Sequence, residues 1–314
     1  MHWRIKALLQ NVVAGLPPGL SYLVYYRIQR AFGRLRTVNP ARHFGNCADI
    51  IRHFRAQGCG IEGKTFLEVG TGRTVNVPLG LWLCGAERVV TVDLNPYLRG
   101  ELVVESLRYL REHRGELEAL FSGIADPEVF HCRVDRLLEA PESLDAVLAL
   151  ANIEYRAPAD ATTLPLPNGG VDFHYSSNVF EHVSPEIIRG ILLEARRVLA
   201  PGGLFLHRMD LSDHFSHTDP SISTVNFLRF NERRWGRLAG NRYMYHNRLR
   251  AYEYYDLFAE EGAVILDADE HVDERSAGLL AEGFPVDARF SGHSPRELAV
   301  IYLTITGMFP PREG

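Results

Sequence analysis

The chain has 314 residues, 46% hydrophobic and 23% charged, a globular balance that excludes disordered, collagen-like and low-complexity chains. Lys and Arg number 34 against 39 Asp and Glu, a net charge of -5, so no general binding of nucleic acid is expected. No apolar run reaches the roughly 18 residues of a membrane span, and four cysteines without a C-x-x-C pair point to a reduced, cytoplasmic setting.

The first acidic residue is Asp49. Ahead of it Arg4, Lys6, Arg27, Arg30, Arg34, Arg36 and Arg42 alternate with Trp3, Leu8, Leu9, Leu23, Tyr25, Tyr26 and Phe32. Pro17-Pro18 interrupts the apolar stretch, no small-residue cleavage site follows and serine is scarce, so neither a secretory nor a transit signal is read. The spacing predicts helices over 3–14, 20–32 and 47–57, and residues 1–60 read as a helical extension of a domain spanning 61–314. Two readings of the basic arm stand side by side. One is a helix pair with arginines in solvent; the other is a surface for an anionic acceptor or for peripheral membrane contact.

From Thr65 strands and helices alternate. Thr65–Val69 reads as a strand, followed by a glycine turn and a helix over 76–84. Arg88–Asp93 is a second strand, short, β-branched and ended by an acid. Helical spacing follows at 99–113 and in short pieces through 115–150. Ile153–Tyr155 and Val171–Ser176 are further strands. Ser184 caps a helix over Pro185–Leu199, with Pro185 in its first turn and Ile187, Ile188, Ile191, Leu192, Ala195 and Leu199 on its buried face. Pro201-Gly202-Gly203 turns into a strand at Leu204–His207. A helix near 247–261 and strands at Val264–Asp267 and Leu298–Ile305 complete the pattern. Such alternation implies an α/β fold, doubly wound, with a mostly parallel sheet covered on both faces. The inserts near 100–150 and 208–246 exceed ordinary connections and read as lids or binding walls.

Leu67-Glu68-Val69-Gly70-Thr71-Gly72-Arg73-Thr74 is the most informative stretch. Glycines at a strand end let the chain turn tightly and let a ligand approach the backbone. Asp93 ends the next strand, with Leu94 beside it, where a carboxylate can accept ribose hydroxyls. A dinucleotide fingerprint would carry a third glycine; here Thr74 and Val75 follow Arg73, and Glu68 precedes the turn. An acid there repels phosphate and suits an ammonium or sulfonium group.

The stretch resembles the first motif of class I S-adenosylmethionine (SAM)-dependent methyltransferases. Ala159-Asp160-Ala161 resembles their adenine loop. Val171 to Val183, ending Phe180-Glu181-His182-Val183, resembles the fourth-strand motif of their small-molecule branch, and Leu199-Ala200-Pro201-Gly202-Gly203-Leu204 resembles the turn before strand five. The resemblance implies a Rossmann-like, seven-stranded sheet and SAM as cofactor. It places Glu68, Gly70, Thr71, Gly72, Asp93, Leu94, Asp160, Ala161 and Asn178 at the cofactor.

For the chemistry, an alcohol acceptor needs a base in reach. His182 is one candidate. Asp210, Asp213, His214 and His217 share a face if that stretch is helical, as a base with its orienting acid, a capped polar loop, or a set of metal ligands; the reading taken has Asp210, His214 and His217 as catalytic and no metal. Trp235, Tyr243, Tyr245, His246 and Asn247 are candidates for a substrate wall. No Asn-Pro-Pro-Tyr or Asp-Pro-Pro-Tyr tetrapeptide follows the fourth strand, which disfavours planar nitrogen acceptors. The expectation is therefore methyl transfer to a small molecule or glycan, at oxygen. The alternative is a non-catalytic SAM-binding or scaffold module.

Overall fold

A computed structural model describes residues 1–33 and 35–310; Arg34 of the basic arm lies outside the described residues. The arm forms α1 (Trp3–Ala14) and α2 (Pro18–Phe32), parted by Gly15-Leu16-Pro17. Next comes α3 (Ala41–Ala56), which starts behind Pro40, well before the expected residue 47. Its apolar face, Phe44, Cys47, Ala48, Ile51 and Phe54, is buried in the core on one face of the sheet.

β1 (Thr65–Val69), α4 (Asn76–Leu83) and β2 (Arg88–Val92) follow as expected. The first insert folds into α5 (Gly100–Glu112), α6 (Arg114–Phe121), α7 (Pro127–Glu139) and α8 (Leu144–Leu150). β3 (Ile153–Arg156), β4 (Val171–Ser177) and α9 (Pro185–Val198) come next. Ser184 takes the N-cap position of α9, but its side chain makes no cap bond. Ile188, Ile191, Leu192, Ala195 and Val198 face the core, while Ile187 is exposed.

β5 runs from Leu199 to Asp210, longer at both ends than expected. Pro201-Gly202-Gly203 is a bulge within it: Leu199 pairs with Val171, then the register shifts and Leu204 pairs with Phe173. At the far end Met209 and Asp210 pair with Leu303 and Tyr302. The chain continues through α10 (Glu232–Ala239), α11 (Ala251–Glu260), β6 (Val264–Val272), α12 (Glu274–Ala281), α13 (Pro295–Leu298) and β7 (Val300–Met308). Leu298, expected in the last strand, instead ends α13, whose capping box on Ser294 and Glu297 fixes that turn.

Among the described residues the strands form one seven-stranded sheet, ordered β3-β2-β1-β4-β5-β7-β6. β7 is antiparallel to both neighbours and the other pairs are parallel. Strand order reverses at β1/β4, so the carboxyl ends of β1 and β4 open the crevice in which such sheets bind ligands. A separate core joins the arm to the second insert: Trp3 packs against Phe215 and Phe230 at 5.6 and 5.9 Å between ring centroids, and Tyr25 of α2 stacks on Tyr243 at 3.9 Å.

Candidate active site

The turn after β1 is shaped by Gly70 (φ +93°) and Gly72 (φ +66°), backbone that other residues adopt only with strain. A Cβ on Gly70 would run into the Val179 side chain, so this turn lies directly against the turn after β4; a Cβ on Gly72 would meet open space. Asp93 holds the turn closed. Its carboxylate accepts the Gly72 and Asn95 amides at 2.9 Å each. Burial, the larger effect, pushes its pKa up against these bonds.

Leu94 beside it is 69% exposed, an apolar side chain held in water at the mouth. Asp160 is exposed and takes the Thr162 amide and hydroxyl on Oδ1 at 2.9 and 2.8 Å, shaping its own loop. The Ala159 amide ties that loop to the Asp93 carbonyl at 2.9 Å, which brings Asp160 and Ala161 to the Asp93 end of the crevice.

Glu68 is buried beneath the turn. It accepts the Thr91 hydroxyl at 2.5 Å, and Thr91 also meets the Thr71 hydroxyl at 2.6 Å. Burial pushes its pKa up to about 7. Two further groups are left in search of partners: the Asn178 Oδ1 atom and both amide atoms of Asn76, at the start of α4, are buried without a hydrogen bond among the described residues. Unmet buried polar atoms cost roughly 1–3 kcal/mol each, a cost that a polar ligand relieves. An open glycine turn, an acid at the next strand end and orphaned amides together fit a nucleoside carrying an amino-acid tail.

The second half of the site gathers at the ends of β4 and β5. The stretch 210–217 is not helical: β5 continues through Asp210, and the chain then turns. Asp210, His214 and His217 nevertheless converge, because the turn folds back on the strand end. Asp210 Oδ2 lies 3.6 Å from Nε2 of both histidines, and Ser212 Oγ bonds Asp210 Oδ1 at 2.5 Å and meets His217 Nε2 at 2.9 Å. Asp213 points elsewhere, accepting the Phe215 amide and the Asn226 side chain at 2.8 and 3.1 Å; it is a buried loop cap.

His182 joins this group with its ring 5.0 Å from that of His214 between centroids. Its Nδ1 donates to the Tyr245 carbonyl at 2.8 Å, leaving Nε2 with a free lone pair. Asn247 braces the same turn, donating to the Phe180 and Val183 carbonyls at 2.7 and 2.9 Å. Trp235 is core, and its indole donates to the His246 carbonyl at 3.2 Å. His246 stands 5.0 Å from His214, but both its nitrogens are engaged, with the Arg248 amide and the Asp210 carbonyl.

Desolvation by the groups packed around it pushes the His182 pKa down although the residue is exposed overall, and burial pushes those of His214 and His246 well down, so these imidazoles are neutral at pH 7. Lys6 reaches in from α1 to the His214 carbonyl at 3.3 Å. Sequence reasoning left Glu181 out of the site. It is fully buried, takes the Asp210 amide on Oε1 at 3.3 Å, and leaves Oε2 without a partner among the described residues. The visible signal was its place beside His182 in the motif after β4.

Residues 142–207 match the family described as a methyltransferase domain, a stretch that includes α8, β3, β4 and α9 and enters β5. None of the curated proteins compared matches the chain. Among solved structures the chain is similar to a geranyl diphosphate C-methyltransferase from Streptomyces coelicolor A3(2), at 14% identity over 84% of this chain and 78% of that one, with a TM-score of 0.46. It is also similar to a SAM-dependent methyltransferase from Mesorhizobium loti, at 18% identity over 82% and 95% of the two chains, with a TM-score of 0.40.

Proposed function

We propose that this chain, of which residues 142–207 match a methyltransferase domain, is a class I SAM-dependent enzyme that moves a methyl group from SAM to a hydroxyl of a small molecule or glycan. The observation that carries this reading is the close approach of Gly70 to Val179, which sets the cofactor turn beside the turn bearing Glu181 and His182. SAM supplies an electrophilic methyl on a sulfonium, which departs as a neutral thioether. The chain's own tasks are to hold, orient and dry the reactants, and alignment alone is worth about 7–11 kcal/mol in favourable cases.

Asp93 would accept the ribose hydroxyls, Leu94 would lie against the base, and Asp160 with Ala161 would meet its edge. Glu68, Thr71, Gly70, Gly72 and Asn178 would shape the amino-acid end. A neutral imidazole of the His182, His214, His217 group would take the acceptor's proton, with Asp210 orienting it. Oxygen is favoured over nitrogen because an amine acceptor needs no such base. A non-catalytic SAM-binding module would have no use for uncharged imidazoles gathered at the crevice.

The arm would add a membrane or anionic-acceptor surface. Ile5, Leu8, Leu9 and Val12 of α1 and Leu20, Leu23 and Phe32 of α2 are exposed, and no acidic residue precedes Asp49. Exposed apolar side chains on helices that carry no acid suit an anionic interface. No helix of the described chain is long and apolar enough to cross a membrane. The test of the enzymatic reading is methyl transfer from labelled SAM to a panel of hydroxyl and amine acceptors, by wild type and by His182→Ala.

A further inference from the structure

We infer that Glu181, His182 and His214 form a binding site for one divalent transition-metal ion at the acceptor side of the crevice. The inference deepens the proposed function and rests on it for the ion's place beside the acceptor, but not for the binding itself. The three side chains each bring a ligand atom to within 4.8 Å of the others. Ligand atoms around one such ion, with bonds of about 2.1 Å, lie roughly 3–4 Å apart, so small side-chain rotations close the set.

Three independent features point to a cation. Glu181 Oε2 and His214 Nε2 are both buried with no hydrogen bond among the described residues, and Glu181 is 0% exposed. A carboxylate oxygen sealed from water with no donor facing it is costly, and a metal ion is the partner that removes that cost. The second feature is the orientation of His182. Its Nδ1 donates to the Tyr245 carbonyl at 2.8 Å, the second bond that metal-ligating histidines almost always make, and it aims Nε2 as a lone pair. The third is Asp210, whose Oδ2 at 3.6 Å from His214 Nε2 adds negative charge beside the ligand atoms.

The donor set is two imidazoles and a carboxylate, which suits zinc, iron, cobalt or manganese better than magnesium or calcium. His246 is not a member, since both its nitrogens are bonded within the fold. The three ligands leave coordination positions free, and with His182 and His214 on the ion the acceptor's proton goes to His217, the third imidazole of the group. His182 is exposed while Glu181 is buried, so those positions open toward the crevice, where an acceptor oxygen would be held.

The test uses the full chain without a polyhistidine tag, treated with a chelator and dialysed, then titrated with cobalt(II) alone and followed by its visible absorption and by calorimetry. One equivalent is expected to bind, with the absorption of a nitrogen- and oxygen-ligated ion. Glu181→Gln and His214→Ala should each weaken binding by about tenfold or more, with binding of S-adenosylhomocysteine retained as the check on folding. His182→Ala, at an exposed ring, gives a third variant that should weaken cobalt(II) binding with the fold undisturbed. Absence of binding by wild type, or binding by His182→Ala and His214→Ala as tight as that of wild type, overturns the site. Methyl transfer by chelator-treated enzyme that still depends on His182 would discard the metal and leave the proposed function standing. Cobalt(II) binding in a chain that binds no SAM would do the reverse.

Discussion

The rings of His182 and His214 stand 5.0 Å apart, although one follows β4 and the other lies beyond β5. Parallel pairing of those strands, with Ser176 opposite His207, brings their carboxyl ends to one edge of the sheet. The turn after Asp210 then swings His214 back over the edge to meet His182. The glycine turn after β1 opens on the same edge, because Val69 pairs with Ser176.

That convergence puts both rings at the acceptor side of the proposed site. Replacing His182 or His214 by alanine should lower turnover by about 10²–10⁴-fold and leave the affinity for S-adenosylhomocysteine nearly unchanged. Both imidazoles are held below the ordinary histidine value, so the acid limb of the turnover profile should fall below about pH 6.5. Steady-state kinetics across pH with calorimetry on the variants checks both. Unchanged turnover in both variants would leave positioning alone and favour an amine acceptor.

Asp93 carries the ribose end of the cofactor reading. Asp93→Ala should weaken S-adenosylhomocysteine binding by about 1.5–3 kcal/mol, the range for hydrogen bonds to a charged group. Because Asp93 also ties the Gly72 amide, a thermal melt must accompany the calorimetry. A folded variant with undiminished affinity removes Asp93 from the site.

Glu68 gives a pH signature of stability. Burial raises its folded pKa from 4.5 to about 7. Its stabilising contribution is therefore whole below the unfolded value and is lost as pH rises through the folded one. By about pH 8 the buried carboxylate costs about 3 kcal/mol relative to its neutral form. Glu68→Gln keeps an acceptor for Thr91 and cannot ionise, so its melting temperature should gain on wild type between about pH 5 and about pH 8. A difference that stays flat across that range contradicts the assignment.

Much of this was legible because its signals are local. The glycine turn, Asp93 at a strand end and the Pro185 helix are each written within a few residues. The stretch 210–217 was not. Its spacing suits a helix, but pairing of Asp210 with Tyr302, far along the chain, extends β5 and leaves a turn. The same long-range pairing explains why Asp213 became a loop cap while His214 and His217 kept their partner. Glu181 escaped notice because burial of an acid is a tertiary property, invisible to local pattern. The start of α3 behind Pro40 was missed for a similar reason: its face is settled by packing against the sheet.

The arm's exposed apolar side chains predict association with anionic vesicles. Leu8→Asp with Phe32→Asp should abolish co-sedimentation with phosphatidylserine vesicles without lowering the melting temperature, since both side chains are largely exposed. Wild type that stays in solution at low salt would assign them to something other than a bilayer.

The most direct test of the account is a titration of the purified chain with S-adenosylhomocysteine and, separately, with NAD. The turn carries Glu68 and lacks a third glycine, so one equivalent of S-adenosylhomocysteine should bind and NAD should give no heat. Binding of NAD, or no binding of S-adenosylhomocysteine by a folded chain, would contradict it.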